Sequence, residues 1–150
     1  MQNMSLSEKI TNDLKEALKS GDTLCVSCLR MLKATIKNRQ IEKREDLKDE
    51  EIIGVISSQI RKCKEAADDF RKGDRQDLAE KEENEARILY RYLPEQLQPD
   101  EIEKILKETI IELSANSLSD LGKVMKAGMA KMGGKAQGKL VNEIAKKLLS

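Results

Sequence analysis

Apolar residues recur three and four positions apart along almost the whole chain, the spacing that lines one face of an α-helix. Leu6, Ile10, Leu14, Ala17 and Leu18 make such a face, opened by Ser5-Leu6-Ser7-Glu8 as a capping box and closed by Gly21-Asp22, which predicts a helix over 6–20. Cys25, Cys28, Leu29, Leu32 and Ile36 keep one face of a long second helix from Thr23 to about Arg44. Asp46 to Glu51 supply caps and acidic charge for a third, which carries Ile52, Ile53, Ile56, Ile60, Cys63, Ala67 and Phe70 and ends at Gly73-Asp74. Gly54 inside it is a mild cost. A fourth helix is predicted from about Asp77 to Leu93, with Leu78, Ala86, Leu89 and Leu93 inward and a dense run of Glu and Lys outward as a solvated face.

The chain has two prolines, Pro94 and Pro99, and both fall in the short stretch Leu93-Pro94-Glu95-Gln96-Leu97-Gln98-Pro99. Proline ends one helical array and suits the first turn of the next, so a domain boundary is expected there. Beyond it Ile102, Ile105, Leu106 and Ile110 mark a helix over 100–113, Leu121, Val124, Met125 and Met129 one over 119–132, and a last runs over 136–149. The expected fold class is therefore all-α: an N-terminal four-helix domain (1–93), a link (94–99) and a small C-terminal three-helix bundle (100–150). No repeat or strand pattern is visible.

Composition narrows the function. Apolar residues at 39% and charged residues at 37% describe a soluble protein with solvated helix faces and no membrane span. Phe70, Tyr90 and Tyr92 are the whole aromatic set, so the core is aliphatic and recognition by base stacking is disfavoured. Histidine is absent, which removes the commonest general base and the usual transition-metal ligand. Cys25 and Cys28 have Cys-x-x-Cys spacing, but a zinc site needs two more soft ligands and only Cys63 remains. Both lie in the apolar stripe of the second helix, so core packing is the expected role, and neither cofactor nor metal is expected. Met1-Gln2-Asn3-Met4-Ser5 carries no leader pattern, which predicts a cytoplasmic protein.

A net charge of +1 hides strong segregation. From Asp120 onward seven lysines (Lys123, Lys126, Lys131, Lys135, Lys139, Lys146, Lys147) stand against Asp120 and Glu143. On the second helix Arg30, Lys33, Lys37 and Arg44 fall within roughly 60° at about 100° per residue, a basic stripe beside the apolar one. Such stripes engage a phosphate backbone without base specificity; the plainer alternative is a lysine-rich surface kept for solubility. Gly133-Gly134-Lys135-Ala136-Gln137-Gly138-Lys139-Leu140 matches the first seven positions of a Walker A loop, but Leu140 replaces the Ser/Thr that holds magnesium and no strand precedes it. A helix cap at Gly133, followed by a turn that offers lysines and helix-start N–H groups to an anion, fits better.

Three stretches together carry a resemblance: Leu29 to Asn38 (Leu-Arg-Met-Leu-Lys-Ala-Thr-Ile-Lys-Asn), Phe70 to Leu78 followed by Glu82, Glu85 and Tyr92-Leu93-Pro94-Glu95-Gln96-Leu97, and Asp120-Leu121-Gly122-Lys123-Val124-Met125. Nearly the whole chain resembles the YqeY family, which is related to the tail domain of the B subunit of the glutamyl/aspartyl-tRNA amidotransferase. Similar modules are appended to some glutaminyl-tRNA synthetases. The resemblance implies two helical domains and a connection to tRNA, with an amidotransferase or aminoacyl-tRNA synthetase as a protein partner. Two departures stand out: Gln137 where the family commonly has Asp, and Arg61 to Ala67 in place of an Arg-Asp-Ser stretch. The family is often labelled with carbon–nitrogen ligase activity using glutamine as amide donor. No activated nucleophile or metal-phosphate site for that chemistry is legible here, so intrinsic catalysis is not expected.

The sequence thus points to an RNA-binding accessory protein with Lys123, Lys126, Lys135, Gly138 and Lys139 on phosphates and Arg30, Lys33 and Lys37 as a second surface. The alternative is a protein-interaction adaptor in which Met125, Met129 and Met132 pack against a partner helix.

Overall fold

A computed structural model describes residues 4–150. Among the described residues seven α-helices follow one another, α1 (Leu6–Ser20), α2 (Thr23–Lys43), α3 (Asp49–Lys72), α4 (Gln76–Tyr90), α5 (Pro99–Leu113), α6 (Leu121–Met132) and α7 (Gly138–Leu149), with a 3-10 turn at Leu118–Asp120 before α6. Among the described residues there is no strand, so the chain is all-helical.

Local chemistry sets the helix ends. Ser5 Oγ accepts the Glu8 N–H at 3.2 Å to open α1, and Gly21, with φ 74°, closes it in the left-handed conformation that glycine adopts without a Cβ penalty. The Asp22 carboxylate accepts the Cys25 N–H at 3.1 Å and starts α2. Arg44, expected inside α2, is instead its left-handed cap at φ 61° and so leaves the helical stripe of Arg30, Lys33 and Lys37. Glu51 holds the start of α3: its carboxylate accepts the Lys48 N–H at 3.1 Å and an ion pair from Lys43 at 2.6 Å. At the other end of α3 the left-handed residue is Asp74, at φ 59°, rather than Gly73. The fourth helix stops at Tyr90, three residues early. Tyr92 and Leu93 donate N–H bonds three residues back, to Leu89 and Tyr90, because the residue before Pro94 is driven out of the α region.

The packing divides into two compact units between Leu93 and Pro94. In the first, Ile10 of α1, Leu29 and Leu32 of α2, Ile52, Ile56 and Ile60 of α3 and Leu89 of α4 are fully buried. Each contributes on the order of 1.5–3 kcal/mol by leaving water. Cys25 and Cys28 are free, buried thiols within this core. In the second unit Ile102 and Leu106 of α5, Val124 and Met132 of α6 and Val141 and Ala145 of α7 form a smaller core. Met132 is buried, and Met125 and Met129 pack half-buried against the same cluster. The methionine run thus contributes to the core of this unit, with Met125 and Met129 partly open to solvent.

The stretch expected as a link belongs to the second unit. Leu97 packs on its core and donates its N–H to the Lys135 carbonyl at 2.7 Å, while the Gln96 amide donates to the Gly134 carbonyl at 3.0 Å and to that of Pro94 at 2.9 Å. Pro99 occupies the first turn of α5, whose start is tied by the Glu101 carboxylate accepting the Gln98 N–H at 3.1 Å.

Candidate nucleic-acid interface

Lys123 and Lys126 stand one turn apart on α6, and both are exposed. The helix ends at Gly133, which takes φ 53° and returns its N–H to the Met129 carbonyl at 3.1 Å, as the glycine pattern predicts. Gly134 follows at φ 84°, so two successive left-handed residues reverse the chain in a path that side chains with a Cβ would resist. Lys135 leaves this turn with its side chain in solvent and its main chain pinned on both sides, its N–H to Met132 at 3.0 Å and its carbonyl to Leu97.

α7 then begins at Gly138 with Gln137 as N-cap, and no side chain caps it. Val141 N–H bonds the Gln137 carbonyl at 3.1 Å, so the amides of Gly138, Lys139 and Leu140 are the ones without an intrahelical acceptor, and all three residues are exposed. An uncapped helix start carries partial positive charge, and Lys139 adds a full one. The preceding element is helix α6, not a strand, so the Walker-like match is not a nucleotide loop. Gln137, the N-cap residue of α7, has its amide Nε2 buried without a hydrogen-bond partner. An Asp there would cap the helix and cancel part of this charge.

The lysines are not equivalent. Lys131 pairs with Glu112 at 2.7 Å and is electrostatically spent. Among the described residues, no ion pair involves Lys123, Lys126, Lys135 or Lys139.

The second predicted stripe lies in the other unit. Lys33 and Lys37 line a cleft of about 430 Å³ between α1 and α2 with Ser7, Ile10 and Gln40. Arg30 borders a neighbouring cleft of about 420 Å³ with Leu18, Gly21 and Val26. Arg30 and Lys37 are exposed and Lys33 is half-buried.

One group of residues was missed by the sequence reading. The thiol of Cys63 on α3 and the carboxylates of Glu82 and Glu85 on α4 bring a sulfur and two oxygens within 4.8 Å of one another, all half-buried. Glu82 and Glu85 were expected on a solvated face. At about 100° per residue they in fact share an arc with Leu78 and Leu89, and that was the available signal.

Lys135 and Lys139 flank an uncapped helix start, an arrangement suited to an anion, while Lys123 and Lys126 stand further back on α6. Comparison with known proteins defines the family. The sequence signature described as "Yqey-like protein" matches residues 7–149, and the chain belongs to the YqeY family. It is similar to the protein named "Altered inheritance of mitochondria protein 41, mitochondrial" of Vanderwaltozyma polyspora, 35% identical over 85 residues, covering 56% of this chain and 46% of that protein. The protein of the same name in Kluyveromyces lactis is 36% identical over 84 residues, covering 55% and 45%. An uncharacterized protein of Schizosaccharomyces pombe is 32% identical over 91 residues, covering 61% of this chain and 74% of its own length. The matched stretches thus span a little under half the length of the first two relatives.

These names overturn the cytoplasmic assignment, since the relatives are named as mitochondrial proteins. That assignment rested on the missing leader pattern in Met1 to Ser5, of which the first three residues lie outside the described ones, and a missing pattern identifies no compartment. No described helix is long and apolar enough to cross a membrane.

Proposed function

We propose that this protein binds the phosphate backbone of RNA, with tRNA as the intended ligand, through Lys123, Lys126, Lys135 and Lys139 and the N–H groups around Gly138. The observation that carries the reading is the turn between α6 and α7, where two left-handed glycines deliver Lys135 beside an uncapped helix start bearing Lys139. Backbone amides at a helix start and unpaired lysines are both well suited to holding a phosphate. Arg30, Lys33 and Lys37 provide a second basic surface. The choice of tRNA rests on the family's relation to the amidotransferase tail. In that setting the chain presents tRNA to an amidotransferase or synthetase supplied by another protein, and the ligase chemistry belongs to that partner.

Titration against total tRNA at several salt concentrations, with duplex DNA as competitor, tests this reading. Expected are a preference for tRNA, a steep fall with salt, and a salt slope shallower by about one for each lysine lost in a Lys123→Ala, Lys135→Ala, Lys139→Ala variant. No binding at low salt, or equal binding by the variant, sinks the proposal. Affinity capture that recovers neither an amidotransferase nor a synthetase subunit removes the partner but leaves RNA binding standing.

A further inference from the structure

Cys63 sits on the face of α3 that α4 covers, opposite Glu82 and Glu85, which stand one turn apart on α4. The three donor atoms lie within 4.8 Å of one another. Tetrahedral zinc with one sulfur and two oxygen ligands needs donors roughly 3.3–3.8 Å apart, given metal–ligand bonds of ~2.0–2.3 Å. The difference is about 1 Å, within the reach of a glutamate side chain's three rotatable bonds.

Two further observations bear on what this cluster holds. Among the described residues, none of the ion pairs involves Glu82 or Glu85, although Glu83 between them pairs with Arg71. Glu82 and Glu85 therefore lie side by side on α4 without a salt bridge among the described residues, with Lys81 only partly offsetting Glu85, so a bound cation would relieve their mutual repulsion. A second sulfur comes from a third helix: Cys28 of α2 is only 6% exposed, and its thiol donates to the main-chain carbonyl of Glu85 at 3.7 Å. Cys28 thus packs α2 against the main chain of α4 beside the three-donor group without being one of its donors.

We propose that Cys63, Glu82 and Glu85 form a binding site for a single thiophilic divalent cation of the zinc type. A set with sulfur disfavours magnesium and calcium, which take six or more oxygens. Three protein ligands leave the fourth tetrahedral position to water, so the site is open rather than closed. The Cys63 thiol gives up its proton to solvent as the sulfur–metal bond forms, and the metal's two positive charges then meet three negative ones, a thiolate and two carboxylates, leaving the site with a net charge of −1. Burial and then Glu82 push the free Cys63 thiol up to about 12, and burial followed by Glu82 raises Glu85, with Lys81 opposing.

The test uses the full chain, stripped with chelator and titrated with Co²⁺ and then Zn²⁺. Expected are one Co²⁺ bound per chain, a thiolate-to-cobalt charge-transfer band, and displacement of that band by Zn²⁺. Cys63→Ser abolishes the band, whereas Cys28→Ser keeps it. Glu82→Gln and Glu85→Gln preserve side-chain volume, and each weakens binding by at least about tenfold, since even loss of an outer partner of a metal ligand costs 10–100-fold. Circular dichroism on every variant verifies the helical fold. A band that survives Cys63→Ser, affinities unchanged in both glutamate variants, or the lack of saturable binding by the parent chain overturns the proposal.

Discussion

The hydroxyl of Tyr92 donates to Asp13 Oδ2 at 2.6 Å, joining the turn after α4 to α1, 79 residues earlier in the chain. The ring is buried and Lys9 lies over it, its ammonium 5.5 Å from the centroid. This one side chain therefore closes the first unit by linking its first helix to its last residues.

Removing only the hydroxyl, as in Tyr92→Phe, should cost about 1.5–3 kcal/mol, the range for a hydrogen bond to a charged group. A lower urea midpoint at unchanged slope checks it.

Alkaline pH gives the same contact a second signature. Burial first, and then the Asp13 hydrogen bond, hold the Tyr92 phenol well above the ordinary tyrosine range. A folded-state value raised above the unfolded one contributes stability that is complete below about pH 10 and is lost as pH rises beyond it. In a Tyr90→Phe background, phenolate absorbance should therefore appear only together with loss of helical signal. Phenolate forming in a fully helical protein would contradict this.

The thiols should be quiet. Burial pushes Cys28 and Cys63 up to about 12 and also raises Cys25. The native protein at neutral pH should react with an aromatic disulfide reagent at least about tenfold more slowly than the denatured chain, which presents all three thiols. The same shifts predict stability that is full below the ordinary thiol value of about 8.5 and declines as pH climbs toward the folded values.

Two glycines should respond to alanine in opposite directions. At Gly54, exposed within α3, an added Cβ meets nothing within 4 Å, so Gly54→Ala should stabilise by about 0.5–1 kcal/mol. At Gly128, buried in α6, the Cβ would lie 2.9 Å from a methyl of Leu106, itself fully buried, and overpacking should outweigh the helix-propensity gain by about 1 kcal/mol. Thermal midpoints that move the same way would show the α5–α6 contact to be looser than described.

The basic residues of the second unit should separate by pairing. Lys131 already serves Glu112, so Lys131→Ala should change RNA affinity by less than about twofold, while Lys139→Ala at the start of α7 should cost about fivefold or more at low salt.

The helices were legible because their determinants are local. Ser5, Gly21 and Gly133 act within one turn of their own positions, and the apolar spacing of α1, α5 and α6 needs no knowledge of what it packs against. Errors fell where a neighbour decides. Arg44 continues the α2 stripe on paper, yet the chain turns there to reach α3. Leu93 continues the apolar face of α4, yet Pro94 ends the helix three residues sooner. The basic residues were visible as a composition bias, but that Lys131 is paired and Lys135 pinned depends on Glu112 and Leu97, distant in sequence. Glu82 and Glu85 were assigned to solvent by residue type alone, although their angular position beside Leu78 and Leu89 already pointed toward α3.

The bond from the Leu97 amide to the Lys135 carbonyl gives the lysine turn a listener. That amide exchanges with solvent only when the contact opens, so its protection reports the free energy of opening the turn. A phosphate seated between Lys135 and Lys139 would be registered nearly forty residues upstream, as a slower amide just ahead of α5.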